Sequence, residues 1–205
     1  MSVVKTRRTS LLYRACQQIL RLYLGGICKI EVIGAQLPEG PFVISMNHQS
    51  AADMFMYMAV LRQPIKFFTK QELLAIPVLG KILRRWCIPV DRGRPDRQAL
   101  MLSVEALRSG YVLSVFPEGT RNRELAEGHG GAVVIAARAG VPVVPGGISG
   151  AYRPFRGKTV VRFGEPLTFT GSLNRQQRVE ATQILMQRIR ALRDAQEAEP
   201  RKADG

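Results

Sequence analysis

The chain is poor in the residues from which several kinds of site are built. It has two histidines, His48 and His129, and three cysteines, Cys16, Cys28 and Cys87, with no CxxC pair. That argues against a metal centre and against a disulfide framework, and reads as reduced thiols in a cytosolic setting. Aromatics are only 7%, and no recognised nucleic-acid motif is present. No run of about 20 apolar residues, the length of a membrane span, is unbroken. Leu11 to Ile33 is interrupted by Arg14, Arg21, Lys29 and Glu31, and Gly130 to Tyr152 holds Arg138, two prolines and six glycines. A signal-peptide core after Lys5, Arg7 and Arg8 is cut short by Arg14. There is no GxSxG nucleophile elbow, no Walker A loop and no GxGxxG fingerprint. Acidic residues are scarce as well: 16 stand against 30 Lys and Arg, a net charge of +14. Such an imbalance implies an anionic partner, whether nucleic acid, a lipid surface or a phosphorylated substrate.

What remains is ordinary globular composition, with 46% apolar and 22% charged residues in 205, which fits one domain with a short extension. Residues 1–35 read as a basic amphipathic helical segment. Leu12, Ala15, Cys16, Ile19, Leu22 and Tyr23 recur at three- and four-residue steps, and Arg14, Gln17, Gln18 and Arg21 form a narrow polar stripe. A helix of that kind can lie on an anionic membrane or dock on its own domain. Residues 36–196 alternate between strand and helix patterns, and 197–205 form a polar tail. Strands are predicted at 41–46, 65–68, 87–90, 111–116, 141–148 and 159–163. Helices are predicted at 51–61, at 71–85 with a break near Pro77, and at 96–109, 131–139 and 176–195. The expected fold is α/β, with a mixed, largely parallel sheet flanked by helices and an N-terminal membrane-associating helix.

In such sheets ligands bind beyond the carboxyl ends of the strands. Polar clusters fall at four of those ends: Asn47-His48-Gln49-Ser50, Thr69-Lys70, Asp91-Arg92 and Pro117-Glu118-Gly119-Thr120-Arg121. His48 and Asp53 admit two readings. If His48 is in the loop and Asp53 in the first helical turn, the carboxylate can fold back, fix the imidazole tautomer and leave the other ring nitrogen as a base. Alternatively, Ser50-x-x-Asp53 resembles a capping box and Asp53 merely starts a helix. Gly119 and Arg121 suit an anion, through backbone N–H approach and a bidentate guanidinium, or form a solvated turn. Arg92 and Lys70 are similarly open. Gly128-His129-Gly130-Gly131 is either a tight turn or an anion seat at a helix start.

Taken in order, these clusters resemble the glycerolipid acyltransferase family, whose best known members acylate 1-acyl-glycerol-3-phosphate. The NHxxxxD block reads Asn47 to Asp53, the strand ending in Asp-Arg reads Ile88 to Arg92, FPEGTR[SN] reads Phe116 to Asn122, and VP[IV][IV]P reads Val141 to Pro145. One departure is visible: where many members carry a lysine before Gly-Ala in the loop after the third block, this chain has His129. The resemblance implies that His48 and Asp53 form a general base. It implies that Arg92, Glu118, Gly119, Thr120 and Arg121, with Lys70, form the acceptor-phosphate region. The acyl donor would be acyl-CoA or acyl-carrier protein, with no cofactor, no metal and no acyl-enzyme, and the product phosphatidic acid. The acceptor would be lysophosphatidic acid or, alternatively, another lysophospholipid or a lyso-aminolipid. Because both lipids reside in the bilayer, attachment to the cytoplasmic face of the cell membrane is expected. It would run through the N-terminal helix and an apolar, basic stretch: Leu73, Leu74, Ile76, Val78, Leu79, Ile82 and Trp86 with Lys81, Arg84 and Arg85. Two remote alternatives remain: a basic nucleic-acid-binding module, and a family member that binds lipid without catalysis.

Overall fold

The computed structural model describes residues 9–48, 53–91, 96–117, 129–149 and 157–195. Seven strands form one sheet: β1 (Cys28–Gly34), β2 (Val43–Met46), β3 (Ile65–Lys70), β4 (Cys87–Val90), β5 (Val112–Val115), β6 (Val143–Ser149) and β7 (Gly157–Phe163). Their order is β1-β7-β6-β2-β5-β3-β4. Neighbours from β6 through β4 run parallel, β7 is antiparallel to β6, and β1 lies parallel to β7. The six described helices are α1 (Leu11–Ile27), α2 (Asp53–Val60), α3 (Leu79–Trp86), α4 (Arg97–Arg108), α5 (Gly131–Ala139) and α6 (Arg175–Asp194).

Side chains alternate across a strand, and the central strands therefore feed two cores. Ile44, Val112 and Val144 join one core with Tyr13 of α1, Met56 and Tyr57 of α2, and Leu83 and Trp86 of α3. Val43, Leu113, Val115 and Val143 join the other with α4, α5 and α6 through Leu107, Ile135, Leu185 and Ile189. The result is three layers, with the sheet in the middle. The helix starts follow local chemistry. Ser10 caps α1 through Tyr13 N–H, Asp96 caps α4 through Ala99 N–H, and Asn174 and Gln177 form a reciprocal capping box at α6. Gly140 ends α5 in the left-handed conformation at φ 69°.

One expectation is corrected. Residues 28–34 fall inside the segment expected to be helical, yet they form β1. The alternation in Lys29-Ile30-Glu31-Val32 suits a strand, and β7 offers a parallel partner over its whole length. The helix expected over 71–85 breaks near Pro77 as expected, into a 3₁₀ turn at Gln71–Ala75 and α3. Pro77 forbids a continuous ladder, and Val78 between them has φ 66°, a strained value for a β-branched residue. The chain can turn this tightly because residue 80 is glycine: a Cβ there would collide with the Leu74 carbonyl oxygen. In α1 the polar stripe does not all face water. Gln17 is buried, and its side-chain amide donates to the carbonyls of Met58 and Leu61, while Arg21 Nε donates to that of Ala59. Polar residues of α1 thus cap the carboxyl end of α2, and Leu11, Leu12, Ile19, Leu22 and Tyr23 remain exposed.

Candidate active site

β2 is buried along its length and ends at Met46. Asn47, next in sequence, is locked sideways: its side-chain amide donates to the carbonyl of Ile148 at 3.0 Å and its Oδ1 accepts from Ile148 N–H at 2.8 Å. That pair of bonds replaces ladder bonds where β2 leaves β6, and it fixes the backbone from which His48 projects. The Tyr57 hydroxyl donates to the Asn47 carbonyl at 3.4 Å. His48 Nδ1 then lies 2.9 Å from Asp53 Oδ2. Asp53 is fully buried as the first residue of α2, and His48 is 9% exposed. The fold-back reading of this pair therefore holds in the geometry. Ser50, the other half of the capping alternative, lies outside the described residues. Phe116, just past β5, stacks on the imidazole with centroids 3.9 Å apart.

A carboxylate on Nδ1 holds the proton there and leaves Nε2 as the acceptor, the arrangement of a general base. Cys87 opens β4, away from the carboxyl edge, and burial pushes its thiol up to about 11. Among the described residues, no group of three or more His, Cys, Asp or Glu side chains could hold a metal ion.

The other expected site residues divide. Arg92, Glu118, Gly119, Thr120 and Arg121 lie outside the described residues. Lys70 ends β3 and is exposed. It shares the carboxyl edge with His48 but sits two strands from β2 in the sheet order, a lateral offset of about 10 Å. In the apolar stretch, Leu73, Ile76, Val78 and Ile82 are exposed. Leu74 is buried and Trp86 packs against the α1–α3 core. Those two are corrected to core residues, because the 3₁₀ turn and α3 each keep one face against β3 and β4. The backbone of Leu79 opens α3. Sequence reasoning missed the roles of Asn47, Gln17 and Phe116. Only Gln17 carried a signal, as a member of the polar stripe of the N-terminal helix.

A histidine held by a buried aspartate thus stands at the carboxyl edge of the parallel sheet, an arrangement that suits proton transfer. The chain belongs to the acyltransferase family, whose model matches residues 29–149. A 1-acyl-sn-glycerol-3-phosphate acyltransferase of Bacillus subtilis is 29% identical over 192 residues, 88% of this chain and 96% of that protein. A mouse 1-acyl-sn-glycerol-3-phosphate acyltransferase alpha is 36% identical over 165 residues, 73% of this chain but 56% of that protein. The chain thus spans nearly all of the bacterial relative and about half of the mouse one. The crystal structure of the 1-acyl-sn-glycerophosphate (LPA) acyltransferase PlsC from Thermotoga maritima aligns with a TM-score of 0.69 at 22% identity, covering 91% of this chain and 80% of that one. That likeness bears on the fold.

Proposed function

We propose that this chain transfers a fatty acyl group from an acyl thioester to the free hydroxyl of 1-acyl-sn-glycerol-3-phosphate, giving phosphatidic acid. The observation that carries the reading is the buried His48–Asp53 pair at 2.9 Å, set in the first of four family blocks that occur in order. His48 Nε2 takes the acceptor's hydroxyl proton as the oxygen attacks the thioester carbonyl. The tetrahedral intermediate collapses, the C–S bond breaks, and the imidazolium returns the proton to the departing thiolate. Asp53 stabilises the imidazolium between the two steps. No acyl-enzyme and no cofactor is needed. Arg92 and Arg121 bind the acceptor's phosphate, and the family blocks assign Glu118, Gly119 and Thr120, with Lys70, to the same role.

The enzyme works from the membrane surface. Among the described residues no helix is long and apolar enough to cross a bilayer. Yet α1 presents Leu11, Ile19, Leu22 and Tyr23 outward at 83, 68, 78 and 65% exposure, and Ile76, Val78 and Ile82 project from the same layer. Lys81, Arg84 and Arg85 flank them, and each basic residue near an anionic leaflet contributes about 1 kcal/mol. Attachment is peripheral, to the cytoplasmic leaflet.

The test is direct. Purified protein is incubated in vesicles with 1-acyl-glycerol-3-phosphate and either acyl-CoA or acyl-carrier protein, with His48→Ala in parallel and product read by mass spectrometry. Phosphatidic acid from the wild type alone is the expected result. Product from His48→Ala at the wild-type rate would sink the base assignment. Turnover of other lysolipids in preference would move the acceptor.

A further inference from the structure

The helices α4 and α6 leave a groove between them, floored by α5, with a volume of about 1140 Å³. It lies on the face of the sheet away from α1, α2 and α3. Its floor is apolar, with Val134, Ile135 and Leu100, and its α6 wall carries Arg175, Arg178 and Arg190 beside Gln183 and Gln187. Val115 of β5 lines the groove, and the next residue, Phe116, is stacked on His48. His129 N–H donates to the Pro117 carbonyl at 2.8 Å, and Gly130, which follows it, lines the groove too. The groove and the base therefore meet at the end of one central strand, from opposite faces of the sheet.

We infer that this groove holds the nucleotide phosphates and pantetheine arm of a coenzyme A thioester, the acyl donor of the proposed reaction. The inference rests on that reaction. Three observations carry it. The exposed apolar side chains lie on α1 and around α3, the face that the proposed membrane attachment uses, so a donor with a water-soluble headgroup has the α4–α6 layer as its approach. The three arginines run along one flank of α6, and no described carboxylate pairs with any of them. The pairs His48–Asp53, Lys158–Glu31 and Arg193–Asp194 do not involve them, and Arg178 Nε donates only to the Asn174 carbonyl, at 3.4 Å. A polyphosphorylated ligand matches several separated guanidiniums, where a single phosphate needs one. Finally, an arm of apolar carbons and two amides matches an apolar floor edged by Gln183 and Gln187. Two acids line the groove as well: Asp96 is held by the N–H groups of Ala99 and Asp91, which keep its carboxyl below the usual range, and Asp91 is engaged too.

The experiment uses the full chain. Arg175→Glu/Arg178→Glu/Arg190→Glu reverses charge at exposed positions, and Val179→Trp narrows the groove from an exposed position on the same wall. Both are assayed with acyl-CoA, with acyl-carrier protein and with a short acyl thioester that carries no phosphate, at fixed lysophosphatidate. Binding of unacylated coenzyme A is measured by calorimetry, which does not depend on turnover. We expect the triple variant to raise KM for acyl-CoA and to weaken coenzyme A binding by about tenfold or more, given charge-assisted bonds to phosphate. The KM for lysophosphatidate and turnover of the phosphate-free thioester stay at wild-type values. Val179→Trp weakens coenzyme A binding without a change of charge. A raised KM for lysophosphatidate with donor KM unchanged would overturn the inference and make this the acceptor's groove. Loss confined to acyl-carrier protein would overturn it in favour of a protein-docking face, and unchanged behaviour of both variants would overturn it outright. Coenzyme A bound through the arginines by a wild type that acylates no lysophosphatidate would support the groove and sink the acceptor assignment.

Discussion

The imidazole of His48 lies nearly flat against the Phe116 ring, the planes inclined by 19°. Asp53 fixes the imidazole at one atom in its plane, and Phe116 fixes the plane itself, so the two contacts constrain different rotations. A base must present its free nitrogen in one direction to act on a bound hydroxyl. Phe116→Leu keeps the volume apolar but removes the stack. An aromatic contact of about 0.5–1.5 kcal/mol converts to a fall in kcat of about 2- to 12-fold, with KM for lysophosphatidate held. Phe116→Tyr retains the stack and should keep wild-type kcat in the same assay.

The two members of the dyad should act as one unit. Asp53→Asn preserves shape but no longer holds a proton on Nδ1, and base catalysis is worth about 10²–10⁴-fold. We expect kcat to drop by about 10²-fold or more in Asp53→Asn and in His48→Ala alike. The double variant should lose little beyond the worse single one, because residues in one relay are strongly non-additive. Multiplying losses in a full kinetic cycle would mean that Asp53 serves catalysis by a route other than His48.

Much of this arrangement is written in the local sequence. The alternation of strand and helix patterns, the buried run Val43–Met46 and the glycine stops at Gly110 and Gly140 dictate an α/β sheet with His48 at a strand end. What is not written there depends on partners far along the chain. β1 is a strand because β7, about 130 residues later, pairs with it, and Leu11 to Ile33 conceals it within one apolar stretch. Asn47 looks like half of a loop motif until Ile148 receives both of its bonds. Leu74 and Trp86 have the composition of a lipid-facing stretch, and only the packing of the 3₁₀ turn and α3 on β3 and β4 decides which side chains turn inward. The α4–α6 groove has no linear signature, since its walls come from three helices and two strand ends.

The exposed face of α1 should carry lipid affinity rather than stability. Ile19 and Leu22 are 68 and 78% exposed, so Ile19→Glu/Leu22→Glu removes no core packing. Burial of such a side chain contributes about 1.5–3 kcal/mol. The double variant should therefore partition onto anionic vesicles at least about 10²-fold more weakly, with an unchanged urea midpoint. Equal sedimentation of variant and wild type with vesicles would rule α1 out as the attachment surface.

Gln17 ties that helix to the catalytic layer, and the tie can be measured. Its amide nitrogen lies 2.8 Å from the Met58 carbonyl and 2.6 Å from that of Leu61, two groups at the carboxyl end of α2 that have no next turn to satisfy them. Gln17→Leu keeps the apolar contact and deletes both donors. Each buried carbonyl left without a partner costs about 1–3 kcal/mol, so urea unfolding should show a loss of about 2–6 kcal/mol with the slope unchanged. Gln17→Glu should lose at least as much at neutral pH, because a carboxylate there faces two carbonyl dipoles of the same sign. Since α2 begins at Asp53, a loosened α2 also loosens the dyad, and kcat should fall in Gln17→Leu while KM for lysophosphatidate holds. Wild-type stability in both variants would mean that the Gln17 bonds do not hold α1 to α2.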